Sequence, residues 1–371
     1  MCNHKCKEMQ KRKRIRIKDI AKLAGVSAGT VDRVVHNRGN VSQKSREAVE
    51  KVLKEVNYRP NVHMSSISLR KKYKILFIAP KFSAGEYWES IYLGIQRALE
   101  EFENIAVTCK KMMYDQYDIF LCKETYDEAL QLEFDAVIIG PIFQNETRYF
   151  CSKLEERKIP YVFVDSNVEE TKPLAYFSAN HYVSGYLMCK LINAIMNKSK
   201  DIGIMQAMRV GNKSANSTIL RKAGFMDYLA ENNIENNIYK IPFSATEPQK
   251  NEELFDDFFA KNTNVKGIVV LNSRGNVIAN YLAKKKINDI KLVCVDLTDA
   301  NIKALKKGKI DFLIGQKPER QGYLAMKFLI EHLIYKMPVM VANILPLDIL
   351  TKETIDLYRE FNDLVYLEQY V

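Results

Sequence analysis

From Tyr73 onward the chain alternates between two textures, and that alternation limits its fold more than any other feature. The run "YKILFIAP" at 73–80 is almost continuously apolar, the pattern of a strand buried on both faces of a parallel sheet. Similar runs return at 105–112, 135–140, 160–165, 201–208, 265–272, 291–296 and 310–316. Between most of them, apolar residues recur at spacings of three and four, which predicts helices at 87–102, 145–158, 182–197, 214–231, 249–261, 275–286 and 318–335. Strand and helix in alternation predict parallel sheets joined by right-handed crossovers. The stretch is long for one core, so two such sheets are expected. Ligands of open α/β sheets bind beyond the carboxyl ends of the strands. Here those ends are Ala79–Pro80, Gly140–Pro141, Asp165–Ser166, Asn272 and Asp296.

The first 74 residues are of another kind. They hold 20 Lys and Arg against 6 Asp and Glu, a charge of +14 in a chain whose total is +11, so the remainder carries −3. So local a surplus points to a basic module that meets a polyanion. Residues 1–14 end in "KRKR" and are expected to form a disordered arm. Three short helices follow: Ile20, Leu23 and Ala24 share one face, Val31, Val34 and Val35 another, and Val49, Val52, Leu53 and Val56 a third behind Ser42 as N-cap. Pro60 ends the third helix, and the polar stretch 61–72 is a linker.

Within the basic module, "IKDIAKLAGVSAGTVDRVVHNRGNVS" at 17–42 forms a helix-turn-helix pattern with Gly25 at the turn. Ala28 and Gly29 leave room for the second helix to approach DNA closely. Ser27 and Thr30 supply hydroxyls, and the helix end supplies N–H groups and a positive dipole for phosphate. Arg33, two turns in, is placed to meet a guanine edge. An ordinary small helical domain is the competing reading. Charge surplus, turn and hydroxyl placement together favour DNA.

Seven cysteines at irregular spacing, an odd number, read as reduced thiols. Cys2, His4 and Cys6 match no common zinc spacing, so neither metal nor other cofactor is expected. No apolar segment follows the basic N-terminus and no apolar run approaches 18 residues, so neither a secretory signal nor a membrane span is expected. The expected location is the cytoplasm, in association with the nucleoid.

The segments "IKDIAKLAGVSAGTVDRVV" and "VSQKSREAVEKVLKEVNYRPN" resemble the lactose/galactose repressor family, and the likeness extends over essentially the whole chain. The resemblance implies a small all-α helix-turn-helix headpiece at 15–60 and a hinge helix at 61–72. It also implies an α/β core at 73–371, similar to periplasmic sugar-binding proteins, with two lobes. The first lobe would take about 73–178 plus 318–342, and the second about 179–316 plus 343–371. Such proteins are homodimers on pseudo-palindromic operator DNA, with affinity set by a small-molecule effector, a sugar or sugar derivative, between the lobes. Carried over by position, base reading falls on Ala28, Gly29 and Arg33. Phosphate contacts fall on Ser27, Thr30, Ser42 and Ser45, and the apolar wedge at the operator centre on Ile67. Asp32 stands where the family has serine. An acid beside phosphate costs affinity unless it accepts from a base such as cytosine.

For the effector, the resemblance marks Arg221 in "ILRKAGF", together with Asp165, Asn272, Asp296 and Gln316 at strand ends. Such side chains pair donors and acceptors with vicinal hydroxyls, and Tyr87 and Trp88 offer aromatic faces. Asp165 and Asp296 also fit the bland reading of N-caps for the turns that follow. Asn180 departs from the family, whose cores often place an acid there.

Signatures of Walker loops, GxSxG elbows, HExxH sites and dinucleotide loops are missing, so no enzymatic activity is expected. The expected function is a transcriptional regulator, by default a repressor relieved by a sugar. The alternatives are a solute-binding protein for sugar uptake, or a corepressor-type or activating regulator with a non-sugar effector.

Overall fold

The computed structural model describes residues 17–35, 39, 41–55, 72–103, 105–197, 199–211, 214–335 and 342–358. The chain divides into two compact units, Met1–Arg70 and Lys71–Val371. The arm at 1–14, the Cys2–His4–Cys6 cluster and the hinge residue Ile67 lie outside the described residues.

In the first unit, α1 (Ile17–Ala24), α2 (Ala28–Val35) and α3 (Gln43–Glu55) close over Ile20, Ala21, Val31, Val34, Val49 and Val52. Leu23 is not part of that core, for it is 62% exposed. The buried stripe of α1 is rotated by one residue from the expected face, because Ala21 fills the place beside Ile20. Gly25 takes a left-handed φ of 65° at the turn, a conformation a side chain would resist. Ser27 caps α2, its Oγ accepting from the Thr30 N–H at 3.1 Å. Ser42 caps α3, accepting from the Ser45 N–H at 3.3 Å.

The second unit has two lobes, each a six-stranded sheet clothed by helices. In the first, β1 (Tyr73–Pro80), α4 (Tyr87–Glu101), β2 (Val107–Tyr114), α5 (Ile119–Ala129), β3 (Ala136–Ile139), α6 (Gln144–Glu156), β4 (Tyr161–Asp165) and β5 (Ala175–Ala179) follow in order. The chain then crosses into the second lobe through α7 (His181–Ile195), β6 (Asp201–Ala207), α8 (Asn216–Glu231), β7 (Ile238–Phe243) and α9 (Asn251–Lys261). It continues with β8 (Val265–Val270), α10 (Gly275–Lys284), β9 (Lys291–Val295), α11 (Asp299–Lys306) and β10 (Phe312–Gly315). It returns by α12 (Pro318–Tyr335) and β11 (Ala342–Leu345), and crosses once more into β12 (Asp348–Leu350).

The sheet orders are β11-β5-β4-β3-β1-β2 and β12-β10-β9-β8-β6-β7. All neighbours are parallel except β12, which runs antiparallel to β10. The central strands β3 and β4 are buried along their whole length, as their apolar runs require. Because β11 pairs with β5, the chain as far as Leu345 belongs to the first sheet, three residues beyond the boundary expected at 342.

Two helix pairs pack backbone to backbone through glycines. A Cβ at Gly94 of α4 would lie 1.8 Å from the Glu319 carbonyl oxygen of α12. A Cβ at Gly185 of α7 would lie 1.8 Å from the Arg221 carbonyl oxygen of α8. The second contact fixes where Arg221 stands.

Candidate ligand cleft and nucleic-acid interface

The strands of the two sheets point their carboxyl ends at each other, and the polar residues at those ends meet. Asp165 closes β4 and Asp296 follows β9, each in the left-handed region, with φ of 69° and 73°. Outside glycine this conformation is uncommon and concentrates at functional sites. Neither aspartate caps a helix. The N-cap of α7 is Asn180, which accepts from the Val183 N–H at 3.0 Å, and that of α11 is Thr298. Asn180, the departure from the family, therefore serves the local backbone.

Both carboxylates are instead held by side chains. Asp165 Oδ1 accepts from the Tyr87 hydroxyl at 2.8 Å and Oδ2 from the Ser166 hydroxyl at 3.0 Å. Asp296 Oδ2 accepts from the Ser273 hydroxyl at 2.6 Å, and Oδ1 from the Gln316 amide. Arg221, 2% exposed, donates to the Leu271 carbonyl at 2.9 Å, to Gln316 Oε1 at 2.8 Å and to His181 Nδ1 at 3.0 Å. Its Nε is buried with no partner.

The tautomer of His181 follows from its neighbours. A guanidinium only donates, so Nδ1 must accept, which places the proton on Nε2. That N–H faces the Asp165 carbonyl at 2.7 Å. Burial and the Arg221 charge hold the His181 pKa well below its ordinary value, so the ring is neutral. Burial also raises both aspartates, against the pull of Arg221. Gln321 completes the junction, accepting from the Asp165 N–H at 2.8 Å and donating to the Gln316 carbonyl at 2.9 Å.

Beside this network lies a cavity of about 280 Å³ between the lobes. Of the residues expected to meet an effector, it is lined by Tyr87, Trp88 and Asn272. Asp165, Arg221, Asp296 and Gln316 come together in the buried network rather than on the cavity wall. Tyr87 and Trp88 pack edge to face, ring centroids 5.4 Å apart, in the first turn of α4. Asn272 accepts from the Arg274 N–H at 3.0 Å.

Arg209, Arg274, Glu86 and Asp299, which the sequence reading passed over, also line the cavity. Several of these contacts join the two lobes. Arg274 pairs with Glu86 at 2.6 Å, the Asp299 N–H donates to the Gly85 carbonyl at 3.1 Å, and Arg209 donates to the Gln116 carbonyl. His181, Ser166 and Gln321 were also missed. Their signal was only adjacency to strand ends and crossings.

In the headpiece, Ser27, Ala28, Gly29 and Arg33 are exposed along the start and outer face of α2, with Thr30 and Asp32 partly so. Ser42 is exposed and Ser45 half-buried at the start of α3. The hydroxyls of Ser27 and Thr30 lie 2.9 Å apart, and Ser42 donates to Ser45 Oγ at 2.9 Å. The two helix N-termini thus each present a paired hydroxyl.

Residues 16–61 match the bacterial regulatory proteins of the lacI family, and residues 75–337 match the periplasmic binding protein domain. A solved structure described as a LacI transcriptional regulator from Bacteroides fragilis is 32% identical, with a TM-score of 0.74, covering 78% of this chain and all of that one. The chain belongs to the lacI family. This lacI-family protein is also 24% identical over 290 residues to the sucrose operon repressor of Lactococcus lactis subsp. lactis, covering 77% of the chain and 84% of that repressor. It is 29% identical over 153 residues to the regulator DegA of Bacillus subtilis (strain 168), a match spanning 41% of the chain and 36% of DegA. The helix-turn-helix headpiece and the two-lobed core of this regulator correspond to the two family matches.

Proposed function

We propose that this regulator is a repressor whose grip on operator DNA is set by a small carbohydrate-like effector bound between the core lobes. The observation that carries the reading is the buried network of Asp165, Arg221, Asp296 and Gln316, with the unpartnered Arg221 Nε, beside a cavity between lobes. Paired carboxylates and a guanidinium match vicinal hydroxyls in donors and acceptors, and the Tyr87 and Trp88 rings match an apolar sugar face. The relationship to an operon repressor for sucrose supports the same class of effector.

In this reading two copies of the chain act in the cytoplasm as a homodimer on a pseudo-palindromic operator. Each headpiece sets α2 in a major groove, with Ser27, Thr30, Ser42 and Ser45 on phosphates and Ala28, Gly29 and Arg33 toward bases. Asp32 accepts from a base amino group, and Ile67 wedges into the minor groove. Effector that binds the closed lobes better than the open ones shifts their balance, and operator affinity responds by the same coupling free energy.

A gel shift on DNA upstream of the gene, with and without candidate sugars, tests the reading. Absence of a shift at low salt rejects the regulator. A shift that no small molecule alters rejects the sensor. Arg221→Ala and Asn272→Ala should both weaken the effector response while operator affinity stays near normal. A response that survives both variants would place the effector elsewhere.

A further inference from the structure

Four charged residues line the cavity: Glu86, Arg209, Arg274 and Asp299. Arg274 and Glu86 neutralise each other at 2.6 Å. Asp299 begins α11 on the exposed lip, where the helix N-terminus accommodates its charge. Arg209 remains. Its guanidinium lies 5.1 Å from the Tyr117 ring centroid and 5.9 Å from that of Phe143, and Nη1 donates to the Gln116 carbonyl. Among the described residues no carboxylate forms an ion pair with it. Asp115, the carboxylate that raises its pKa, forms no ion pair with it, and Asp115 Oδ1 accepts from the Tyr117 N–H at 2.7 Å.

A guanidinium carries five N–H donors and does not lose its charge in proteins. Set among rings and one carbonyl on a partly exposed stretch of the cavity wall, it turns its remaining donors and positive charge toward the cavity, with no carboxylate paired to it among the described residues to offset the cost of its partial desolvation. Aromatic faces soften that cost without supplying an acceptor. Burial lowers the Arg209 pKa, as expected for a cation short of a counter-charge.

We infer that the effector carries an anionic group, a phosphate or a carboxylate on a sugar framework, and that Arg209 binds that group. The inference rests on the sensor reading above and narrows its ligand to sugar phosphates and sugar acids. It also joins recognition to closure. Arg209 stands on the second lobe, while Gln116, Tyr117 and Phe143 belong to the first. An anion that draws the guanidinium into the cavity is therefore bound where the lobes meet. A neutral sugar makes the same hydroxyl contacts and leaves that cation unanswered.

The experiment is isothermal titration of the full chain with matched sets: D-glucose, D-glucuronate and D-glucose 6-phosphate; D-galactose and D-galacturonate; D-ribose and D-ribose 5-phosphate. At least one anionic member should bind more tightly than its neutral parent, and the responding set separates carboxylate from phosphate. Arg209→Gln should weaken that anion about 10- to 100-fold, the scale of charge-assisted hydrogen bonds, and change the neutral parent's affinity far less. Arg209→Lys should restore part of the loss.

Neutral members that bind as well as their anionic partners overturn the inference and leave the sugar sensor standing. An anion whose affinity Arg209→Gln does not change overturns it as well. Failure of every set to bind counts against both the anion and the sugar sensor.

Discussion

Gly185→Ala tests whether helix packing sets the geometry of the ligand cleft. The added Cβ would stand 1.8 Å from the Arg221 carbonyl oxygen, 2.5 Å from its carbonyl carbon and 2.6 Å from its Cα. Backbone cannot rotate away as a side chain can, so α7 and α8 must separate. Bringing 1.8 Å out to even 3.0 Å takes about 1.2 Å of movement, at the residue whose side chain holds Gln316, His181 and the Leu271 carbonyl at 2.8–3.0 Å. Overpacking of this kind costs about 1–3 kcal/mol. Losing one of these hydrogen bonds to the charged guanidinium adds about 1.5–3 kcal/mol, so the total is about 2.5–6 kcal/mol. At about 2–4 °C per kcal/mol for domains of 150–250 residues, and less for a larger one, Tm should fall on the order of 10 °C. Effector affinity should fall with it. Gly308→Ala is the control: at φ 67° nothing lies within 4 Å of its Cβ, so it meets only conformational strain of about 1–2 kcal/mol. The reasoning fails if Gly185→Ala melts within 2 °C of wild type, a bound well under that shift, and binds effector normally.

Three further outcomes are expected. Gly29→Ala should stabilise the isolated headpiece by about 0.5–1 kcal/mol, since its Cβ meets only Ser27 Oγ at 3.7 Å, whereas Gly29→Leu should weaken operator binding in a gel shift if that space is clearance for DNA. Between the unfolded-state His pKa of about 6.5 and the lower folded value, the unfolded chain takes up a proton that His181 refuses, so stability should fall as pH falls, by up to about 1.4 kcal/mol per unit. Asp165 and Asp296, raised by burial, act in the opposite sense in wild type and in His181→Gln alike, so the difference between their denaturation curves across pH isolates the histidine. Arg274→Met removes a lobe-to-lobe pair whose side chains are 32% and 28% exposed, worth about 0–1 kcal/mol, so effector affinity measured by calorimetry should drop no more than about five-fold. A loss far beyond that would mean Arg274 touches the ligand.

The double-sheet core was readable because parallel strands buried on both faces must be nearly continuous apolar runs. What escaped notice lies where that rule lapses. β5 reads "AYFSA", too short and with too few aliphatic residues to stand out as an apolar run, and β7 contains Pro242, tolerated because β7 is an edge strand. α5 leaves Phe120 and Leu121 68% and 41% exposed, so its apolar face does not repeat cleanly. The expected strand at 105–112 is displaced to Val107–Tyr114 because β2, also at an edge, is half polar. Arg209 and Arg274 escaped for a different reason. Each sits on a loop past a strand end, and its value comes from reaching across to the other lobe, which no local pattern encodes.

The placement of the network matters as much as its chemistry. His181 follows the first crossing between lobes by one residue, Gln316 sits on the second, and Gln321 lies one turn into the returning helix. Asp165 belongs to the first lobe, while Asp296 and Arg221 belong to the second. The polar groups that suit a ligand are thus bonded to the segments by which the chain crosses between the lobes. Any ligand group that takes up Arg221 or releases Gln316 alters the bonds of the crossing itself. In the proposed reading, the crossings between lobes would therefore belong to the effector site, so that binding and lobe movement would draw on the same hydrogen bonds.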